Sequence, residues 1–274
     1  MLHIQTISTL DLPELQPYRT LRRHDEHRRE RIFVAEGEKT LRRLLETPFF
    51  LTSVLLTPEW LAIFDPLLRT RHENIQVFVA EKAILENLTG FTMFQGIMAV
   101  AKNPTAPTLA ELLAQSPNPS LFVATDGISN AENLGTLVRN CAAFSVDGLL
   151  ISQSSSSPFL RRAVRSSMGG IFNIPVIEEL DLAQTIGELR RNKVHCVAAH
   201  PHASGKTLNA AHLRTSCCIV LGNESDGISD PVLAACDEAV AIPMPEGVDS
   251  LNVSSAGAVF LYEVQRQRRE SAVG

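Results

Sequence analysis

Three short stretches of this 274-residue chain place polar side chains beside glycines where apolar runs end. The first, DGISNAENLGTLVRNCAAF, contains Asn133, Gly135 and Arg139. Asn133 is a residue type that caps a helix, and Gly135 lets another backbone come close. Leu134, Leu137, Val138 and Cys141 would form the apolar stripe of that helix. Arg139 then lies roughly 140° around from Leu134, off the stripe. There it is either a solvated surface arginine or a cation turned towards an anion. The second stretch, LGNESDGIS, holds Glu224 between Gly222 and Gly227, where a carboxylate fixes nearby amides or orients an arginine. The third, IPMPEGVDSLNVSSAGAVFLYE, passes from a strand end through a Pro-Gly loop to Ser250, Leu251 and Asn252. Ser250 or Asn252 could simply cap the helix that follows. That helix opens with Ser254, Ser255, Ala256, Gly257 and Ala258, side chains small enough for another backbone to pack against.

Other chemistries fail on single residues. HPHASGKT (200–207) ends as a phosphate-binding loop does, but His200 replaces its first glycine and Pro201 removes an amide donor. GNESDGIS (222–229) has both glycines but Ile228 where a lysine is needed. No G-x-G-x-x-G follows a strand, and no G-x-S-x-G elbow exposes Ser250 as a hydrolase nucleophile. His195, His200 and His202 lack a cysteine or carboxylate at ligand spacing, so no metal is expected. The cysteines Cys141, Cys196, Cys217, Cys218 and Cys236 show no C-x-x-C and read as reduced thiols acting as small hydrophobes.

These stretches need elements to hold them. LFVATDG (121–127), GLLIS (148–152), HCVAA (195–199), CCIVLG (217–222) and AVAIPM (239–244) are apolar runs separated, for the most part, by segments of helical spacing. That rhythm predicts a parallel sheet covered on both faces. Ligands bind such sheets outside the carboxyl ends of the strands, so the loops after 126, 152, 199, 222 and 244 are the ones to examine. Before this region, IFVAEG (32–37), SVLLT (53–57), IQVFVA (75–80) and GIMAVA (96–101) read as strands, with helical spacing over 38–46 and a polar, helix-permissive stretch over 18–31. KNPTAPTLAELLAQSPNPS (102–120) sets four prolines around one short leucine-bearing turn, the composition of a linker. The expected division is 1–102, a linker 103–119, and 120–274. The serine run 154–157 is too short to count as low complexity.

Composition excludes other classes. The chain is 45% hydrophobic and 20% charged, too apolar for a charge-swollen coil. No uncharged apolar stretch approaches the ~18 residues that span a bilayer. The N-terminus lacks the order of a secretory signal, so a cytoplasmic chain without membrane association is expected. The net charge of −5 argues against wholesale coating of nucleic acid. Locally, however, six arginines (Arg19, Arg22, Arg23, Arg28, Arg29, Arg31) fall within thirteen residues, and Arg161, Arg162 and Arg165 cluster later. They form either solvated helix faces with intrahelical pairs or bidentate phosphate contacts.

Taken in order, N-x-G-x-x-x-R (Asn133, Gly135, Arg139), L-G-N-E-x-x-G (Leu221 to Gly227) and I-P-M…S-L-N-V-S (Ile242 to Ser254) resemble the SpoU/TrmH branch of the SPOUT RNA methyltransferases. The segment RAVRSSMGGIFNIPV is similar to that family's R-x-S-x-G, with Arg165, Ser167 and Gly169 at matching positions. FVAEGEK and QGIMAV in the first hundred residues resemble the L30e-like substrate domain that precedes many SpoU catalytic domains. Ser225 and Ser145 stand where the family often has glycine.

The resemblance implies an α/β fold: a SPOUT-type parallel sheet with a C-terminal trefoil knot, after a smaller α/β L30e-like domain. It implies methyl transfer from S-adenosylmethionine to a ribose 2′-hydroxyl of RNA, rRNA rather than tRNA, by a homodimer formed through the catalytic domain. Leu221, Gly222, Asn223, Ile242, Met244, Leu251 and Asn252 match cofactor-binding positions. Arg139, Glu224, Ser250, Asn252 and Asn133 match catalytic ones. A guanidinium stays protonated, so Arg139 is expected to clamp an RNA phosphate and stabilise a developing alkoxide, with Glu224 holding Arg139 or the loop. Arg28, Arg29, Arg31, Arg139 and Arg165 are the expected RNA contacts. The competing expectation is a catalytically inactive RNA-binding homologue of the same fold.

Overall fold

The computed structural model describes residues 1–21, 23–89, 96–203 and 206–273. Arg22, Gln95 of QGIMAV, and Ser204 and Gly205 of the rejected phosphate loop lie outside the described residues. The chain forms two compact units, Met1–Thr105 with Phe159–Phe172, and Ala106–Pro158 with Asn173–Gly274.

The first unit holds β1 (Leu2–Thr6), β2 (Ile32–Glu36), β3 (Leu51–Leu56), β4 (Ile75–Val79) and β5 (Ile97–Lys102), in the order β1-β4-β3-β5-β2. β1, β4 and β3 run parallel, whereas β5 is antiparallel to β3 and β2. β2 to β5 arise from the apolar runs of the sequence. β1, LHIQT, was not anticipated. It is an edge strand with four of its five residues exposed, so no burial pattern marks it.

The second unit is a six-stranded sheet of β6 (Leu121–Asp126), β7 (Gly148–Ser152), β8 (Val176–Leu180), β9 (His195–Ala199), β10 (Cys217–Gly222) and β11 (Glu238–Val240). The order is β11-β9-β10-β6-β7-β8 and every pair is parallel, as the continuous apolar runs predict. β6 and β7 are buried throughout, because helices cover both faces. Burying each such Val, Leu or Phe is worth about 1.5–3 kcal/mol. The strand order reverses between β6 and β10, which opens a crevice at their carboxyl ends. β8, another edge strand, carries Glu178 and Glu179 and has no apolar run to reveal it.

Three expectations are corrected. The linker 103–119 contains the helix Leu109–Gln115, closed by a capping box between Thr108 and Glu111. T-x-x-E was a legible signal for it, and Leu112 belongs to the second unit's core. The strand in AVAIPM ends at Val240 and only a bridge from Ala241 to Thr207 continues it, because Pro243 and Pro245 have no N–H for a ladder. The segment Phe159–Phe172, expected within 120–274, packs in the first unit. Phe159 and Phe172 each lie 5.7 Å from Phe33, and Arg161 pairs with the buried Glu36. These contacts span over a hundred residues of chain, so neither local sequence registers the other.

The cysteines are free, and four of the five are buried. Burial pushes the thiol of Cys217 up to about 11 and that of Cys236 up to about 12, as suits packing groups rather than nucleophiles. Ser145 has φ 54°, a backbone region that favours glycine.

Candidate active site

A cleft of about 570 Å³ opens at the carboxyl ends of β9, β10 and β11, where Ala199, Leu221, Gly222 and Val240 line it. The turn after β10 supplies Leu221 to Ile228, the loop after β9 supplies His200, Pro201 and His202, and the segment leading into the C-terminal helix supplies Asp249 to Val253. Ile242, Met244 and Phe260 add apolar wall.

Asp126 and Asn223 fix the ends of β6 and β10 to each other. The Asp126 carboxylate accepts from the Ser229 N–H at 2.8 Å and from its hydroxyl at 2.6 Å. The Asn223 amide donates to the Gly127 carbonyl at 2.6 Å, and its Oδ1 accepts from the N–H groups of Ser225 and Asp226. Gly222 allows the turn to fold back. A Cβ there would lie 2.3 Å from the Gly227 carbonyl carbon and from the Ile228 nitrogen. Gly257 does the same for helix packing, since its Cβ would meet Leu137 at 2.5 Å.

At the mouth of the cleft, three of the expected residues form one relay. Asn133 Nδ2 donates to Glu224 Oε1 at 2.8 Å, and Asn252 Nδ2 donates to Asn133 Oδ1 at 3.0 Å. Asn252 Oδ1 in turn accepts from the Ser254 N–H at 3.0 Å and from its hydroxyl at 2.6 Å. Because each amide oxygen is used as an acceptor, both amide orientations are fixed. Each NH₂ group retains one hydrogen for a ligand, and Glu224 retains an oxygen. Asn133 is not the helix cap, however. Asn130 caps Ala131–Ala143, accepting from the N–H groups of Glu132 and Asn133, which leaves the Asn133 side chain for Glu224.

The remaining candidates divide. Ser250, Leu251, Asn223, Leu221, Gly222, Ile242 and Met244 line the same cleft. Arg139 does not; it is exposed on Ala131–Ala143. It lies six residues beyond Asn133, about 120° away around the helix, so Glu224 holds Asn133 and not Arg139. Arg28, Arg29 and Arg31 are exposed at the end of the helix His24–Glu30. The intrahelical pair there joins Arg23 and Glu26 at 3.0 Å; hydrogen bonding from Arg23 holds the Glu26 carboxyl below its ordinary range. Arg165 is half-exposed and lies 3.5 Å from Glu36, so part of its charge is already matched. The motifs did not reveal His200, His202, Asp226 or Asp249 as cleft residues. The loops after 199, 222 and 244 were the only signal that contained them.

The SpoU rRNA methylase family model matches residues 120–262. A tRNA/rRNA methyltransferase of Mycobacterium bovis, itself uncharacterized, is 29% identical over 273 residues, covering 97% of this chain and 93% of the relative. Among solved structures, the AdoMet-bound rRNA methyltransferase from Sinorhizobium meliloti superposes with a TM-score of 0.83 at 21% identity, covering 96% of this chain and 98% of the other. The SpoU methyltransferase AviRb from Streptomyces viridochromogenes, in complex with AdoMet, gives a TM-score of 0.82 at 23% identity, covering 94% and 100%. At those identities the likeness is one of fold. The family match spans just over half of the sequence and contains the whole Asn133–Glu224–Asn252 relay, and the chain belongs to the SpoU rRNA methylase family.

Proposed function

We propose that this protein methylates the 2′-hydroxyl of a ribose in ribosomal RNA and works as a homodimer. The observation that carries this reading is the relay at the cleft mouth, where two amides of fixed orientation and one carboxylate face the same space. The cleft suits S-adenosylmethionine. Its volume of about 570 Å³ falls within the range of small-molecule sites. Leu221, Ile242, Met244 and Leu251 offer apolar surface to a purine, and the glycine-bearing turn 222–227 offers backbone polar groups. When bound, S-adenosylmethionine supplies an electrophilic methyl group on a sulfonium.

The chain's own residues do the rest. Asn133 and Asn252 each direct a spare N–H at the ribose oxygen and stabilise the charge that develops as its proton leaves. Glu224 accepts the hydroxyl hydrogen bond with its remaining oxygen and keeps Asn133 aligned with the other. Arg139, exposed on Ala131–Ala143, grips an RNA phosphate and stabilises the developing alkoxide from outside its own chain's cleft. Ribosomal RNA is preferred because a separate first unit displays Arg28, Arg29 and Arg31 on its surface, available to a large folded substrate. A second copy of the chain covers the C-terminal helix, where Val259 and Tyr262 are 39% and 58% exposed. Tyr262→Asp is expected to convert the dimer to monomer in analytical ultracentrifugation.

The deciding experiment incubates the protein with methyl-labelled S-adenosylmethionine and rRNA from cells lacking the gene, then digests the RNA to nucleosides. Label on one 2′-O-methylribose supports the reading. Label on a base, or binding without transfer, replaces it, the latter by the silent RNA-binding homologue.

A further inference from the structure

The ionised side chains of the cleft carry one sign of charge. Glu224, Asp226 and Asp249 line it along with His200 and His202, and among the described residues no lysine or arginine does. The chain has 25 lysines and arginines, so their exclusion from this wall is a property of the site. Glu224 is committed to the relay through Asn133. Asp226 and Asp249 have no such task. Asp226 joins the hydrogen-bonding pattern through its backbone N–H, which Asn223 holds at 3.1 Å. The turn that presents it is closed by two backbone hydrogen bonds between Asn223 and Gly227, of 2.8 and 3.1 Å. Its carboxylate is therefore kept at the cleft without being neutralised there.

This arrangement matters because the reaction changes the charge of the nucleoside. Before transfer, S-adenosylmethionine bears a sulfonium, an ammonium and a carboxylate, for one net positive charge. In transfer the S–CH₃ bond breaks and an O–CH₃ bond forms. The S–C electron pair stays on sulfur, and the hydroxyl proton leaves to solvent. The product is a thioether with no net charge. A wall of uncompensated carboxylates attracts the first molecule and is indifferent to the second.

We infer that Asp226 and Asp249 are specificity-determining residues that make the cleft prefer the sulfonium donor over the thioether product, easing product release. This rests on the reading of the cleft as the S-adenosylmethionine site. Exposed carboxylates act through a high effective dielectric, so the preference is about three- to tenfold. It shrinks as salt rises, because charges are screened over roughly 10 Å at 0.1 M.

Isothermal titration calorimetry of the full-length protein with S-adenosylmethionine and with S-adenosylhomocysteine tests this, for wild type and Asp226→Asn/Asp249→Asn. Wild type should bind the donor about three- to tenfold more tightly at low salt, with the ratio approaching unity at high salt. The double variant should weaken the donor alone and leave the product's Kd within about twofold. A variant that keeps the ratio, or loses both affinities equally, overturns the inference. So does a wild-type ratio that salt does not move, a measurement that needs no variant to fold. If neither molecule binds wild type, the donor-site reading itself fails, an outcome distinct from an unchanged ratio.

Discussion

The two units solve opposite electrostatic problems in different ways. The first displays Arg23, Arg28, Arg29 and Arg31 on and around a short surface helix, suited to a polyanion that stays outside. The second gathers carboxylates and amides on loops around a cleft at the carboxyl ends of parallel strands, suited to a small cation. The first function depends on long side chains, the second on backbone turns that few residues can make. A polyanion and a cationic donor would compete for one mixed surface, and separating them removes that competition. It follows that the second unit should be sensitive to single atoms and the first to charge.

The largest expected effect compares glycines in the two units. Gly222→Ala forces a Cβ to 2.3 Å from backbone atoms that have no room to yield. It should cost more than about 3 kcal/mol in urea unfolding, with S-adenosylmethionine binding lost. At Gly169 in the first unit, a Cβ would meet the Arg43 side chain at 2.8 Å, and φ is +81°. The outer part of Arg43 can swing aside but its Cβ, at 2.9 Å, must shift with its backbone, so Gly169→Ala should cost about 2–3 kcal/mol from that contact and the positive φ together. Equal costs would break the comparison.

Charge reversal at Arg28 and Arg29 comes next. The pair should weaken rRNA binding by about tenfold and flatten its dependence on salt, while S-adenosylmethionine affinity stays the same. Loss of donor affinity as well would show that the two functions are not separated. Unchanged RNA binding would return this helix to a solvated face.

The smallest effect is acid stability, which both units share. Burial would raise Glu73, but the hydrogen bond from Arg71, those from the Glu73 and Leu51 N–H groups and the Arg71 charge together outweigh it and hold that carboxyl below its ordinary range. Burial likewise opposes the hydrogen bonds of Lys206 and His195 to Glu238, and again the carboxyl ends up lowered. With folded values below unfolded ones, the stability each contributes is present above the ordinary carboxylate range and lost as pH falls through the lowered values, below about pH 4. Glu73→Gln and Glu238→Gln should each flatten the fall of Tm between about pH 5 and 3, by roughly 2–4 °C. A slope unchanged in both would show that these pairs are not what acid disrupts.

What the sequence revealed follows the same division. The β6, β7, β9 and β10 strands were legible because parallel strands buried on both faces are unbroken apolar runs. Asn133, Glu224 and Asn252 were legible as motifs because a relay among backbone turns tolerates few residue types. Edge strands β1 and β8 were hidden because polar residues interrupt their short apolar runs. The Phe159–Phe172 segment was hidden because its partners, Phe33 and Glu36, are remote in the chain. For Arg139, helical spacing showed which stripe it avoids, but not that it would stand outside the lining of its own chain's cleft.

The relay itself is tested most directly by a double-mutant cycle in single-turnover methyl transfer. Asn133→Ala and Asn252→Ala should each slow transfer by about 10²–10³-fold. Because Asn252 aligns Asn133 through one hydrogen bond, the double variant should be little slower than the worse single one. Losses that multiply in full would mean that the two amides act independently, and the proposed relay would not be the catalytic unit.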